Sequence, residues 1–114
     1  MSPIVVLVGP PGSGKTSVGG ALARLTGRDL RDTDADIERS AGRPIPDIFI
    51  TDGEPVFRAM ERAAVATALA EHDGVLALGG GSVLAEETRA ALVGHSVVFL
   101  SLTMPTGVRR TGLA

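Results

Sequence analysis

Leu7 to Thr16, LVGPPGSGKT, holds the single lysine of a 114-residue chain whose other ten basic residues are all arginine. Gly9-Pro10-Pro11-Gly12-Ser13-Gly14-Lys15-Thr16 fits the phosphate-cradle pattern G-x-x-x-x-G-K-[ST] in full. Each residue type has a physical reason. Glycines let the backbone curl until successive N–H groups converge on a phosphate. A helix starting near Gly14 aims its positive dipole end at the same point. Lys15 brings a compact ammonium to the β and γ phosphates, where the longer, planar guanidinium of arginine would not make the same wrap. The Thr16 hydroxyl would ligate Mg²⁺. Candidate nucleotide contacts are therefore Gly12, Ser13, Gly14, Lys15, Thr16 and Ser17. The pattern implies nucleotide binding and leaves the acceptor open, because it serves many chemistries.

Three further groups could choose that acceptor. Asp32-Thr33-Asp34 offers two carboxylates two residues apart. Asp32 could hold Mg²⁺ through water, opposite Thr16, while Asp34 orients an acceptor hydroxyl towards the γ phosphate. Positioning and charge stabilisation are most of what phosphoryl transfer needs. The same residues also make an ordinary helix start, with Asp34 as cap, and both uses are compatible. Arg58 stands four residues after Glu54 and three before Glu61. From spacing alone an exposed ion-pair ladder is the simpler account. The alternative is an anion clamp in which the guanidinium fork grips a carboxylate and Glu61 steadies it. Gly79-Gly80-Gly81 is either a plain loop or a place where a ligand approaches the backbone closely. His72 and His95 flank element ends and read as surface or capping residues. With no Trp or Tyr, the planar guanidinium of Arg110 is a candidate cover for the base.

These groups need a scaffold. PIVVLV (Pro3–Val8) is a continuous apolar, β-branched run, the signature of a strand buried on both faces. Val18, Ala21, Leu22 and Leu25 form a helical stripe stopped at Gly27. A short strand is expected near Asp29–Arg31, a helix from Asp34 to Gly42, and one helical turn over Pro46–Ile50. A long helix starts at Pro55, uses Phe57, Met60, Ala64, Ala68 and Leu69 as its apolar side, and ends at Gly74. VLAL (Val75–Leu78) and SVVFLSL (Ser96–Leu102) read as buried strands, with a helix over Ala85–Val93 between them and another beginning at Thr103. Alternating strands and helices predict an α/β fold: a parallel sheet of four strands with helices on both faces. Ligands in such sheets bind beyond the carboxyl ends of the strands.

Composition narrows the classes. The length suits one domain. A net charge of −2 with 21% charged residues gives no basic surface for nucleic acid or membrane. The absence of cysteine excludes disulfides and thiolate metal sites and fits a reducing cytoplasm. No apolar run is long enough to span a bilayer.

GPPGSGKT, DTD, DGEPVFRAME and LGGGSV, in that order, with GVRRTG near the end, together resemble the shikimate kinase family. The resemblance covers essentially all of residues 1–114. It implies a monomeric P-loop kinase fold and transfer of the ATP γ-phosphoryl group to the 3-hydroxyl of shikimate, with Mg²⁺. It places Lys15 on phosphate, Thr16 and Asp32 on the metal, and Asp34 on the shikimate hydroxyls. Arg58 would grip the shikimate carboxylate with Gly79, Gly80 and Gly81 beside it, and Arg110 would lie near adenine. Family members continue past RRTG into a lid, a further strand and a last helix. The chain is therefore expected to be truncated relative to the family, weak or inactive alone, and to leave Val97–Leu102 as an exposed edge that promotes association. The alternatives are another small-molecule P-loop kinase, of gluconate or nucleoside-monophosphate type, and a non-catalytic nucleotide-binding remnant.

Overall fold

Val6 and Val8 face one side of the central strand and Leu7 the other, and all three are fully buried. This is why PIVVLV carries no polar alternation: its strand is covered on both sides. The computed structural model describes residues 2–10 and 12–101. Strands β1 (Val5–Val8), β2 (Leu30–Asp32), β3 (Val75–Ala77) and β4 (Val97–Phe99) form a sheet in the order β2-β3-β1-β4. Every neighbouring pair is parallel. The helices are α1 (Lys15–Thr26), α2 (Thr33–Ala41), α3 (Ile45–Asp52), α4 (Glu54–Glu71) and α5 (Glu86–Ala91), with a 3₁₀ turn at Ser82–Leu84.

On one face of the sheet, Val6, Val8, Leu76 and Leu78 pack against Val65, Ala68 and Leu69 of α4 and against Leu92. On the other face lies α1, whose one fully buried residue is Gly19. A Cβ there would stand 2.8 Å from Leu30 Cδ1 and 3.3 Å from Leu7 Cδ1. A second cluster, off the sheet, joins Ile37 of α2, Ile48 of α3 and Phe57 of α4. The Phe49 and Phe57 rings lie 4.7 Å apart within it. It fixes the helices that carry Asp34 and Arg58 as one unit.

Four elements depart from expectation. The stripe of α1 covers the sheet only in part: Ala21 and Leu22 are half-buried, whereas Leu25 is 83% exposed and Val18 is exposed as well. Gly19 permits a close helix–sheet approach, and that contact takes the place of these last two side chains. The segment at Pro46–Ile50 is two helical turns, because Pro44 and Pro46 pre-set its start and Glu38 Oε2 accepts from the Ile45 N–H at 2.8 Å. The long helix stops at Glu71, with His72 as its C-cap, ahead of Gly74. The last strand is three residues long and lies at the sheet edge, with Phe99 71% exposed. Leu102 and the helix expected from Thr103 lie outside the described residues.

Candidate active site

The cradle follows β1, the Asp32-Thr33-Asp34 segment closes β2, and the glycine triplet follows β3. Because β3 sits between β2 and β1, all three segments meet at one edge of the sheet, beyond the strands' carboxyl ends.

In the cradle, Gly12 and Gly14 have φ of 80° and 93°, the left-handed region that side chains disfavour. This curl brings the Ser13 N–H to the Pro10 carbonyl at 3.1 Å and starts α1 directly after Gly14. Lys15 Nζ donates to the Gly9 carbonyl at 2.6 Å and to the Pro10 carbonyl at 3.2 Å. The ammonium thus already lies over its own loop. The Ser13 hydroxyl is buried and has no hydrogen-bond partner among the described residues. Thr16 and Ser17 are exposed in the first turn of α1.

Asp32 is the N-cap of α2: its Oδ1 accepts from the Asp34 N–H at 2.8 Å. Asp34 is therefore capped by Asp32 and is not itself the cap. Its own carboxyl is left for other work. Thr16 and Asp32 line one open cleft of about 610 Å³. A hydroxyl and a carboxylate are hard oxygen donors suited to Mg²⁺, which takes few protein ligands and keeps several waters. No cage of three or more His, Cys, Asp or Glu side chains exists among the described residues.

Burial pushes the Asp34 carboxyl up to about 6, with the Asp32 and Glu61 carboxylates adding to the rise and Lys15 opposing it. A Cβ on Gly79 would collide with this carboxyl, at 3.1 Å from its Cγ and Oδ2 and nearer still to Oδ1. The Gly79 N–H donates to Thr33 Oγ1 at 3.3 Å, and Thr33 is fully buried. No local spacing marks this latch between the acidic turn and the glycine loop. Arg58 donates from Nη1 to Glu61 Oε1 at 2.9 Å and from Nε to Glu54 Oε2 at 3.3 Å. Its guanidinium is held above its ordinary pKa, the Glu61 hydrogen bond being the largest cause. Glu61 is 2% exposed, so the pair is not the solvated ladder that spacing suggested. Gly81 lies against the same guanidinium: a Cβ there would be 2.8 Å from Nη2 and 2.9 Å from Cζ. Gly80, half-buried, lies between the two contacts. Arg110 lies outside the described residues.

His72 belongs to the far end of the sheet. Its Nε2 lies 3.0 Å from the carbonyls of both Asp29 and Val75, a structural clip. The Ser82 hydroxyl, directly after the glycines, is buried without a partner among the described residues. No spacing rule marks it.

Strand order, cradle and helix layers place the chain among the small P-loop phosphotransferases. The shikimate kinase family model matches residues 11–113. The chain belongs to the shikimate kinase family. It is 66% identical over 113 residues to shikimate kinase of Salinispora arenicola, an alignment covering 99% of this chain and 68% of that protein. Against shikimate kinase of Mycobacterium tuberculosis it is 56% identical over 112 residues, covering 98% of this chain and 64% of the relative. The solved shikimate kinase of Acinetobacter baumannii, in complex with shikimate, superposes with a TM-score of 0.82 at 40% identity, over 92% of this chain and 57% of that one. The Aquifex aeolicus enzyme superposes with a TM-score of 0.78 at 30% identity, over 83% of this chain and 57% of that one. The chain thus spans 68% and 64% of the length of the first two relatives and 57% of each solved structure.

Proposed function

We propose that residues 1–114 are one P-loop domain carrying the nucleotide cradle and acceptor pocket of an ATP-dependent shikimate kinase. The reaction is transfer of the γ-phosphoryl group to the 3-hydroxyl of shikimate, a step towards aromatic amino acids, in the cytoplasm. The observation that carries the reading is the fit of Gly79 against Asp34 and of Gly81 against Arg58. A methyl group at either position would push aside the side chain that reads the acceptor. Spacing alone does not foresee that a hydroxyl-orienting acid and a carboxylate clamp share one loop.

The amides of Gly12 to Ser17 and the Lys15 ammonium hold the phosphates. For Lys15 this means leaving the Gly9 and Pro10 carbonyls for the γ phosphate. Thr16 and Asp32 are the residues that would hold Mg²⁺, which when bound neutralises phosphate charge. Asp34 accepts a hydrogen bond from the acceptor hydroxyl and aims it. At neutral pH its carboxyl is ionised yet basic enough to take the proton as the O–P bond forms. Arg58, steadied by the buried Glu61, grips the substrate carboxylate, and Gly80 offers main-chain contacts beside it. Arg110 is assigned to the adenine by resemblance alone. The active species is a monomer, with no nucleic acid or membrane partner.

The test is calorimetric titration of shikimate and of ATP–Mg²⁺ into the chain, followed by a coupled ADP-release assay. Binding of both ligands, with at most weak ADP release that depends on shikimate, is the expected result. Nucleotide binding without shikimate binding would instead identify a nucleotide-binding remnant. Turnover with gluconate or AMP in place of shikimate would identify another P-loop kinase.

A further inference from the structure

The turn that carries Asp32 and Asp34 is closed a second time, on its outer side. Leu30 packs beneath α1, so Arg31 projects to the opposite face of β2. There Arg31 Nε donates to Asp36 Oδ2 at 2.7 Å, and Arg31 Nη1 donates to Glu71 Oε1 at 3.2 Å. The other Asp36 oxygen, Oδ1, accepts from Arg39 Nη2 at 2.6 Å. Both carboxylate oxygens are therefore engaged, and the Asp36 side chain is only 12% exposed. Three elements meet here: strand β2, the first turn of α2 and the last turn of α4. Burial makes this pair worth more than an exposed one. Such a pair, closed by good hydrogen-bond geometry, fixes orientation more than it adds stability.

We propose that the Arg31–Asp36 pair, tied to α4 through Glu71, is a positioning clamp that sets where Asp32 and Asp34 stand. Its two members bracket both carboxylates, one residue before Asp32 and two after Asp34. The inner closure, Asp34 N–H to Asp32 Oδ1, fixes the start of the helix. The outer closure fixes the angle at which the helix leaves the strand. That angle determines whether the Asp34 carboxyl meets Gly79 and whether Asp32 faces Thr16. Arg31 and Asp36 also line the cleft that Thr16 and Asp32 line, but their polar groups are spent on each other, on Glu71 and on Arg39, so the proposed role is to act through the two acids. The consequence for catalysis rests on the function proposed above, but the consequence for geometry does not.

The experiment compares the parent chain with Asp36→Asn, with Arg31→Gln, and with the double variant Arg31→Gln/Asp36→Asn. Asp52→Asn serves as control, because it breaks an ion pair of the same kind, with Arg43, away from the acidic turn. The first readout needs no ligand: amide hydrogen exchange at Asp34, whose N–H bonds to Asp32, and at Gly79, whose N–H bonds to Thr33. Single clamp variants should speed exchange at both by about tenfold, while Gly42, at the other end of α2, keeps its parent rate within about twofold. The second readout is calorimetric. Shikimate affinity should fall about 5- to 30-fold in the single clamp variants, with Mg²⁺-free ADP affinity unchanged within about twofold. The double variant should lose little more than either single one, because both members act through one contact, and the control should show neither loss. Parent-like exchange at Asp34 and Gly79, equal changes in the control, or fully additive losses in the double variant would overturn the clamp. If the parent chain binds no shikimate, the function proposed above fails, and the exchange data alone still decide the clamp.

Discussion

Replacing Gly81 with alanine isolates the acceptor clamp. The backbone there has φ −98° and ψ 4°, which alanine adopts without a left-handed penalty. The added methyl would meet the Arg58 guanidinium before anything else, 2.8 Å from Nη2 and 2.9 Å from Cζ. Restoring ordinary contact distances moves that group by roughly half an ångström or more. The 2.9 Å bond to Glu61 stretches towards its limit, and the fork no longer meets an incoming carboxylate in line. Losing one charge-assisted hydrogen bond costs about 1.5–3 kcal/mol, or roughly 10- to 150-fold in shikimate affinity. Folding stability should fall by about 1–2 kcal/mol, because the buried Glu61 carboxylate loses good geometry with its partner. Calorimetry with shikimate, with ADP in parallel, and a thermal melt measure all three quantities. Parent-like shikimate affinity, or an equal loss of ADP affinity, would refute the reasoning.

Other perturbations reach the acid and the core. The folded Asp34 carboxyl titrates near 6 and the unfolded one near 3.8. The native state therefore keeps a proton that the unfolded chain has released. Stability from this group is full below about pH 4 and is lost as pH rises through 6. Asp34→Asn should flatten that slope and be more stable than the parent at pH 7, by about 1–2 kcal/mol once solvent screening of a partly exposed group is allowed for. Denaturant melts of both proteins from pH 4 to 7 check the sign, and an advantage of Asp34→Asn over the parent that does not grow over that range contradicts it. Gly19→Val should destabilise the fold by about 1–3 kcal/mol, because its Cβ would press on Leu30 and Leu7. An unchanged urea midpoint would show that α1 does not rest on the sheet through Gly19.

The central strands were legible because β1 and β3 are buried on both faces, and continuous apolar runs such as VVLV have few other uses. The cradle was legible because its glycines and lysine answer one local demand. Legibility failed where tertiary context decides. Val18 and Leu25 have helical spacing, yet Gly19 takes the buried position because a missing side chain lets α1 come close. Arg58 and Glu61 look like a surface pair until the packing of Phe57 and Val65 carries Glu61 inside. The Thr33–Gly79 latch joins residues 46 apart, and the Arg31–Asp36 clamp depends on which face of an edge strand is covered. Nothing in the local sequence encodes either.

Nucleotide binding depends most on one ammonium, that of Lys15. Lys15→Met keeps the length of the side chain and removes its charge. Nucleotide affinity, measured by titration with ATP–Mg²⁺, should fall on the order of 10²-fold, while shikimate affinity stays within about twofold of the parent. Undiminished binding of ATP–Mg²⁺ by Lys15→Met would contradict the account.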